Sequence, residues 1–188
     1  MPADEKIIYL TFDDGPVPGP TEFVLDVLQE NHAHATFFCI GDNVLKNPSV
    51  FKKLTDSQHS VGNHTFNHLK GWNYSTKDYI SNTAKCAEVI GGENRLFRPP
   101  YGRIKRSQIR ALPNYKIVMW DVLTHDYLAS LSEKDCLKES IKATRPGSIV
   151  VFHDSYKAER NMTYVLPRYI DYFLKQGFVF KSLSTHGA

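Results

Sequence analysis

Short apolar runs alternate with longer stretches in which apolar residues recur every three or four positions, along nearly the whole 188-residue chain. Runs of a few residues rich in Val, Ile, Phe and Tyr suit strands, whereas the longer spacing places one apolar stripe on a helix. Lys6 to Phe12 reads as a first strand, and Pro20 to Asn31 as a helix with Phe23, Val24, Val27 and Leu28 on one face. Ala35 to Ile40 and His59 to Asn63 are the next two strands, with a short helix from Pro48 to Gln58 between them. A helix from Ser75 to Ile90 opens on a Ser75-x-x-Asp78 cap and closes at Gly91. Leu96 to Arg98 gives strand four, Lys105 to Leu112 a helix, and Lys116 to Trp120 strand five. Ser132 caps a helix reaching Thr144, and Ser148 to Phe152 is an almost wholly apolar sixth strand. Thr163 to Gln176 is a helix ended by Gly177, and Phe178 to Leu183 the seventh strand. Seven strands alternating with six helices predict an α/β chain whose β-α units surround a mostly parallel sheet.

Composition narrows this picture. With 41% hydrophobic and 23% charged residues the chain is ordinary for a folded domain. No internal repeat and no Pro, Gly or Ser linker divides it, so a single domain is expected. A net charge of +3 without a basic cluster argues against nucleic acid as a partner. The longest apolar stretches, such as Ile149 to Phe152, fall far short of the roughly 20 residues a membrane-spanning helix needs. Cys39, Cys86 and Cys136 are odd in number and widely spaced, which fits buried thiols better than a disulfide framework or a zinc knuckle. Free thiols mildly favour a reducing compartment, and no apolar export segment precedes the first strand.

In parallel α/β folds, functional residues gather where the strands' carboxyl ends meet the following loops. Asp13 and Asp14 follow strand one, His64 and His68 strand three, Arg98 ends strand four, Asp121 and Asp126 follow strand five, and His153 ends strand six. Thr11-Phe12-Asp13-Asp14-Gly15-Pro16 sets two carboxylates before a turn that stops the strand, so one can bind a metal while its neighbour faces a substrate. Alone, such a sequence reads first as a capped turn with solvated acids. His64-x3-His68, on a helical turn, would bring two imidazoles to one ion. With Asp14 they form a two-nitrogen, one-oxygen set with open positions, suited to catalytic zinc and also to non-haem iron. Arg98-Pro99-Pro100-Tyr101-Gly102-Arg103 is a stiffened loop whose arginine can hold a carboxylate ionised. His153 has the side chain best suited to proton transfer near neutrality, with Asp126, Asp121 or Asp154 as its carboxylate neighbour. His32, His34, His59 and His186 have no comparable placement.

Taken together and in this order, these motifs resemble those of the NodB-homology polysaccharide deacetylases, carbohydrate esterase family four, over residues 6 to 183. The resemblance implies a single-domain, distorted and incomplete (β/α) barrel of about seven parallel strands. It implies metal-dependent hydrolysis of the acetamide of N-acetylated amino sugars in a glycan. Carried over by position, it makes Asp13 the catalytic base, Asp14, His64 and His68 the metal ligands, and Arg98 the residue orienting the base. It makes Tyr101 the oxyanion donor through its backbone N–H, His153 the catalytic acid and Asp126 the support of that acid. Pro99, Tyr101 and Tyr127 would line the sugar site. Zinc is the expected ion, with other divalent transition metals possible. Two departures stand out. The family's Asp-x-x-Asp-Trp reads Leu123-Thr124-His125-Asp126-Tyr127, and its Leu-x-His reads Val151-Phe152-His153. Competing readings are hydrolysis of another amide or O-acetyl ester, an iron oxygenase, and a sugar-binding protein without turnover.

Overall fold

The computed structural model describes residues 5–92 and 95–184. Eight strands form one sheet in which every pairing is parallel: β1 (Ile7–Asp13), β2 (Ala35–Cys39), β3 (Ser60–Asn63), β4 (Leu96–Phe97), β5 (Lys116–Ile117), β6 (Val122–Leu123), β7 (Ile149–His153) and β8 (Val179–Phe180). The order is β5-β4-β3-β2-β1-β7-β6, with β8 pairing to the start of β1. Among the described residues seven α-helices connect them: α1 (Pro20–Glu30), α2 (Gly41–Lys46), α3 (Pro48–Asp56), α4 (Thr76–Ile90), α5 (Arg106–Arg110), α6 (Glu133–Ala143) and α7 (Glu159–Leu174). Among the described residues no helix is long and apolar enough to cross a membrane.

The sheet has to curl. β5 and β6 lie at opposite edges of the path, six inter-strand spacings apart, or about 29 Å if the sheet were flat. Yet Ile117 and Val122 are joined by only four intervening residues, a reach of at most roughly 18 Å. Val118 N–H donates to Phe97 O and Asp121 N–H to Ile149 O, so the linking segment is held by both edges. The edges approach without pairing to each other, and the result is the incomplete barrel expected from the sequence.

Side-chain alternation along the strands separates two cores. Phe12, Phe37 and Phe152, register partners on β1, β2 and β7, stack on the helix side, with ring centroids 5.0 and 5.9 Å apart. Val24 and Leu28 of α1 and Met162, Val165 and Tyr169 of α7 close over them. On the other face a smaller cluster of Phe38, Leu96 and Val118 fills the barrel. Both faces of β1 are therefore buried, which explains its near-continuous apolar sequence.

Several elements differ from the sequence expectation. The fifth strand is only Lys116–Ile117, and Val122–Leu123 is an additional strand at the far edge, giving eight rather than seven. α2 was not expected, because Gly41, Asp42 and Asn43 are weak helix formers that read as a turn. α7 opens at Glu159 rather than Thr163. Its first turn carries the buried Asn161, whose Nδ2 donates to Leu128 O (3.2 Å) and Leu131 O (3.3 Å), a polar inward position that breaks the apolar stripe.

Candidate active site

β1 delivers Asp13, buried, to the carboxyl rim, and Asp14 then adopts φ 85°. This left-handed turn of the backbone sends the second carboxylate in a different direction from the first. Gly15 follows at a point where a Cβ would lie 1.9 Å from Asp154 Oδ2, so no side chain fits. Gly15 N–H donates to Asp154 Oδ1 (3.0 Å) and the Thr21 hydroxyl to Oδ2 (2.7 Å). Burial nonetheless pushes the Asp154 carboxyl up to about 8.

Arg98 is fully buried on the barrel side. Its Nη1 donates to Asp13 Oδ1 (2.8 Å) and Thr11 Oγ1 (2.7 Å), its Nε to Val118 O and its Nη2 to Met119 O (3.3 Å each). The guanidinium lies over Phe38, 4.2 Å from the ring centroid. A buried arginine with one carboxylate partner and three further acceptors meets the conditions under which a buried ion pair is tolerated.

His64 and His68 lie on an irregular loop and not on the helical turn expected from their spacing, because Thr65 (φ 62°) and His68 (φ 55°) are left-handed. The loop is held by amides. Asn63 Oδ1 accepts from Thr65 N–H, Asn82 Oδ1 from the N–H groups of Phe66 and Asn67, and the first N–H groups of α2, on Gly41 and Asp42, donate to Thr65 O and Phe66 O. α2 braces the Asp-Asp-Gly-Pro turn as well, since Asn43 Nδ2 donates to Asp14 O (2.7 Å) and Asn47 Nδ2 to Pro16 O (3.0 Å). These supports were missed from the sequence. An asparagine directly before His64 was the available signal, but the remaining partners are brought in only by the fold.

Asp14 Oδ1 lies 3.2 Å from His68 Nε2 and 3.7 Å from His64 Nε2, and the three ligand atoms are mutually within 4.8 Å. Ligand atoms in a tetrahedral zinc site with bonds of about 2.0–2.1 Å are roughly 3.3 Å apart, so the set fits such an ion. His64 Nδ1 is 2.8 Å from Arg98 O, a contact that places the proton on Nδ1 and leaves the Nε2 lone pair facing Asp14. Burial, with His68 nearby, pushes His64 down to about 4 and keeps it neutral. Burial alone would raise Asp14, but the hydrogen bond from His68 and the nearby His153 and His64 hold it well below the usual carboxylate range. Neutral imidazole and ionised carboxylate are the forms a metal requires.

Across the rim, His153 is the register partner of Asp13 on the neighbouring strand. Asp126 fixes it twice, accepting from the His153 backbone N–H at Oδ2 and pairing with Nδ1 at Oδ1, both 2.7 Å. Burial opposes the imidazolium, yet the charge and hydrogen bond of Asp126, with Asp14 and Asp13 behind them, raise His153 to about 9. Asp121 takes no part. It accepts from Ile149 N–H (2.7 Å) and Ser148 Oγ (2.8 Å) and closes the turn before β7. Asp154 likewise serves the Gly15 turn and not the adjacent histidine.

Tyr101 caps the other side. Its ring lies 4.6 Å from that of His68, its φ is 60°, and among the described residues its N–H has no protein acceptor. Tyr127 stands edge-on to His153 with centroids 4.9 Å apart, half-buried, and Lys157 lies over its ring. Pro99 is buried and offers little surface to a ligand; its carbonyl instead accepts from Gly102 N–H (2.9 Å). The structure thus gathers Asp13, Asp14, His64, His68, Arg98, Tyr101, Asp126, Tyr127 and His153 at one rim. His34 and His59 face each other elsewhere, 6.1 Å apart, and His186 lies outside the described residues.

This rim belongs to a known class: the chain is a member of the polysaccharide deacetylase family, whose profile matches residues 1–120. A peptidoglycan-N-acetylglucosamine deacetylase of Bacillus cereus is 35% identical, the match covering 98% of this chain and 89% of that protein. A chitooligosaccharide deacetylase of Azorhizobium caulinodans is 37% identical over 80% of this chain and 75% of its own length. A crystal structure of a peptidoglycan N-acetylglucosamine deacetylase in complex with 4-naphthalen-1-yl-N-oxidanyl-benzamide superposes with a TM-score of 0.92 at 28% identity, covering 97% of this chain and 88% of that one.

Proposed function

We propose that this chain, over residues 6–183, is a metal-dependent N-deacetylase that hydrolyses the acetamide of N-acetylated amino sugars in a glycan and releases acetate. One observation carries the reading. Asp13 and His153, side by side on β1 and β7, flank a carboxylate–imidazole–imidazole set, so a base, an acid and a metal site share one cleft. The similarity to deacetylases of peptidoglycan and of chitooligosaccharides supports the substrate class.

Asp14, His64 and His68 would hold the ion, with zinc preferred for a two-nitrogen, one-oxygen set. When bound, it supplies Lewis acidity to the acetyl carbonyl and acidity to water. Asp13 takes the proton of the attacking water, and the hydrogen bond from the Arg98 guanidinium keeps that carboxylate aimed. The free Tyr101 N–H donates to the developing oxyanion, a role in which one lost donor costs roughly 100- to 1,000-fold in rate. His153, charged through Asp126, gives its proton to the departing nitrogen, so the amino sugar leaves as an amine. Tyr127 would form a wall of the sugar site beside His153. A base and acid placed for proton transfer are what amide hydrolysis needs, and oxygen activation at the same ligand set gives them no task.

The test is acetate release from a panel of N-acetylated oligosaccharides and peptidoglycan by zinc-loaded protein. Release from at least one glycan, abolished in His153→Ala with metal content retained, is the expected result. No release from any of them refutes the reading.

A further inference from the structure

Beside the cleft, the 3-10 turn Gly71–Asn73 carries Trp72, which is 53% exposed and belongs to none of the buried clusters. An exposed indole on a loose loop would be unremarkable, but this turn is clamped. Gly71 N–H donates to Arg103 O (3.0 Å), and a Cβ on Gly71 would meet that oxygen at 2.5 Å, so the two backbones touch where only glycine fits. The fully buried Gln108 donates to Gly71 O (2.9 Å), and Lys105 Nζ donates to Tyr74 O (2.7 Å). The ring itself is steered. The Arg103 guanidinium lies 4.5 Å from its centroid and Nε1 reaches Ile104 O at 3.4 Å. One face of the indole is therefore occupied by a cation and its orientation is fixed, while half of its surface stays in solvent.

Its place relative to the cleft is set by two short connections. Trp72 is four residues beyond His68, so their Cα atoms are at most about 14 Å apart. Arg103 is two residues beyond Tyr101, whose ring packs on His68. The metal-ligand loop and the Tyr101 loop are thus joined at Trp72, which lies within a few sugar lengths of Asp14, His64 and His68.

We propose that Trp72, backed by Arg103, is a sugar-stacking platform that binds a pyranose unit two or more positions along from the one being deacetylated and so sets the preference for longer glycan chains. This rests on the deacetylase reading above. The apolar face of a pyranose matches a flat aromatic ring, and a ring already held in place forfeits little entropy on binding.

The test compares zinc-loaded wild type, Trp72→Ala and Trp72→Phe on N-acetylglucosamine oligomers of two and five units. Trp72→Ala should lower kcat/KM for the pentamer about three- to tenfold through KM, as expected for one aromatic contact, and leave kcat and the dimer unchanged. Trp72→Phe should keep most of the pentamer preference. Equal losses on dimer and pentamer, or no loss on the pentamer, overturn the platform. A second arm measures pentamer affinity by calorimetry on zinc-loaded Asp13→Asn with and without Trp72→Ala. Weaker binding in the double variant supports the platform and equal binding overturns it. If wild type releases no acetate from either oligomer, the deacetylase reading on this substrate fails, and the calorimetric arm still decides whether Trp72 binds sugar.

Discussion

At the start of its strands the sheet is apolar, and at their carboxyl ends it is charged. Ile8 and Leu10 of β1 sit among Ala35, Phe180, Leu28 and Val165, all buried and without a titratable group. Three residues further along the same strand, Asp13 pairs with a buried arginine beside two histidines. The backbone changes in the same way. Among the described residues six non-glycine residues have positive φ, and five of them, Asp14, Thr65, His68, Tyr101 and His125, lie in the connections at the carboxyl rim. Each such residue costs roughly 1–3 kcal/mol and persists only where its surroundings over-determine it. The side-chain amides of Asn63 and Asn82, the Gly15–Asp154 contact and the N-terminus of α2 provide that constraint. One end of the sheet supplies stability, and the other draws on it to hold charges in fixed directions.

Substitutions at the two ends should separate these roles. The largest effect is expected for Asp13→Asn, which should cut acetate release by about 100- to 10,000-fold while zinc content is retained. Because Arg98 loses its counter-charge inside the protein, the melting temperature should fall too, and this makes Asp13 the residue that belongs to both ends. Unchanged turnover would show that Asp13 only holds Arg98. Phe12→Ala on the helix face should cost about 3–5 kcal/mol in urea denaturation, with zinc stoichiometry of the folded protein unaltered. Asp126→Asn should act on pH dependence. His153 must be protonated to serve as the acid, so the wild-type rate falls as pH rises through about 9, and losing the Asp126 charge should move that limb to lower pH. The same ion pair stabilises the fold fully below the ordinary imidazole value of about 6.5, and that contribution is lost as pH rises through about 9. The smallest effect is expected for Tyr127→Trp, a few-fold unequal change in kcat/KM between short and long acetylated oligosaccharides with no change in bound metal.

The strand ends were legible because apolar runs stop abruptly at acids and histidines, and that placement alone brought Asp13, Arg98 and His153 to one rim. The elements that hold the rim in shape were much less so. Val122–Leu123 is too short for any period to mark it as a strand, and its pairing with β7 comes from the curl of the sheet. α2 opens on Gly-Asp-Asn, residues whose local preference is for turns, and is kept helical by what it braces. The four-residue spacing of His64 and His68 suggested a helix, whereas the two imidazoles converge through two left-handed residues fixed by Asn63 and Asn82. Local pattern records what each segment would do alone, and the supports of this site are formed by segments distant in sequence.

Hydrolysis of acetamides in this cleft, with a metal at Asp14, His64 and His68, is the activity the site predicts. It is tested most directly by following acetate release from an N-acetylglucosamine oligomer by one protein sample as isolated, after exhaustive chelation, and after zinc is restored. Release that stops on chelation and returns with about one zinc per chain, but does not return in His68→Ala, is the outcome expected. Release that survives chelation, or that zinc restores equally in His68→Ala, would contradict the account.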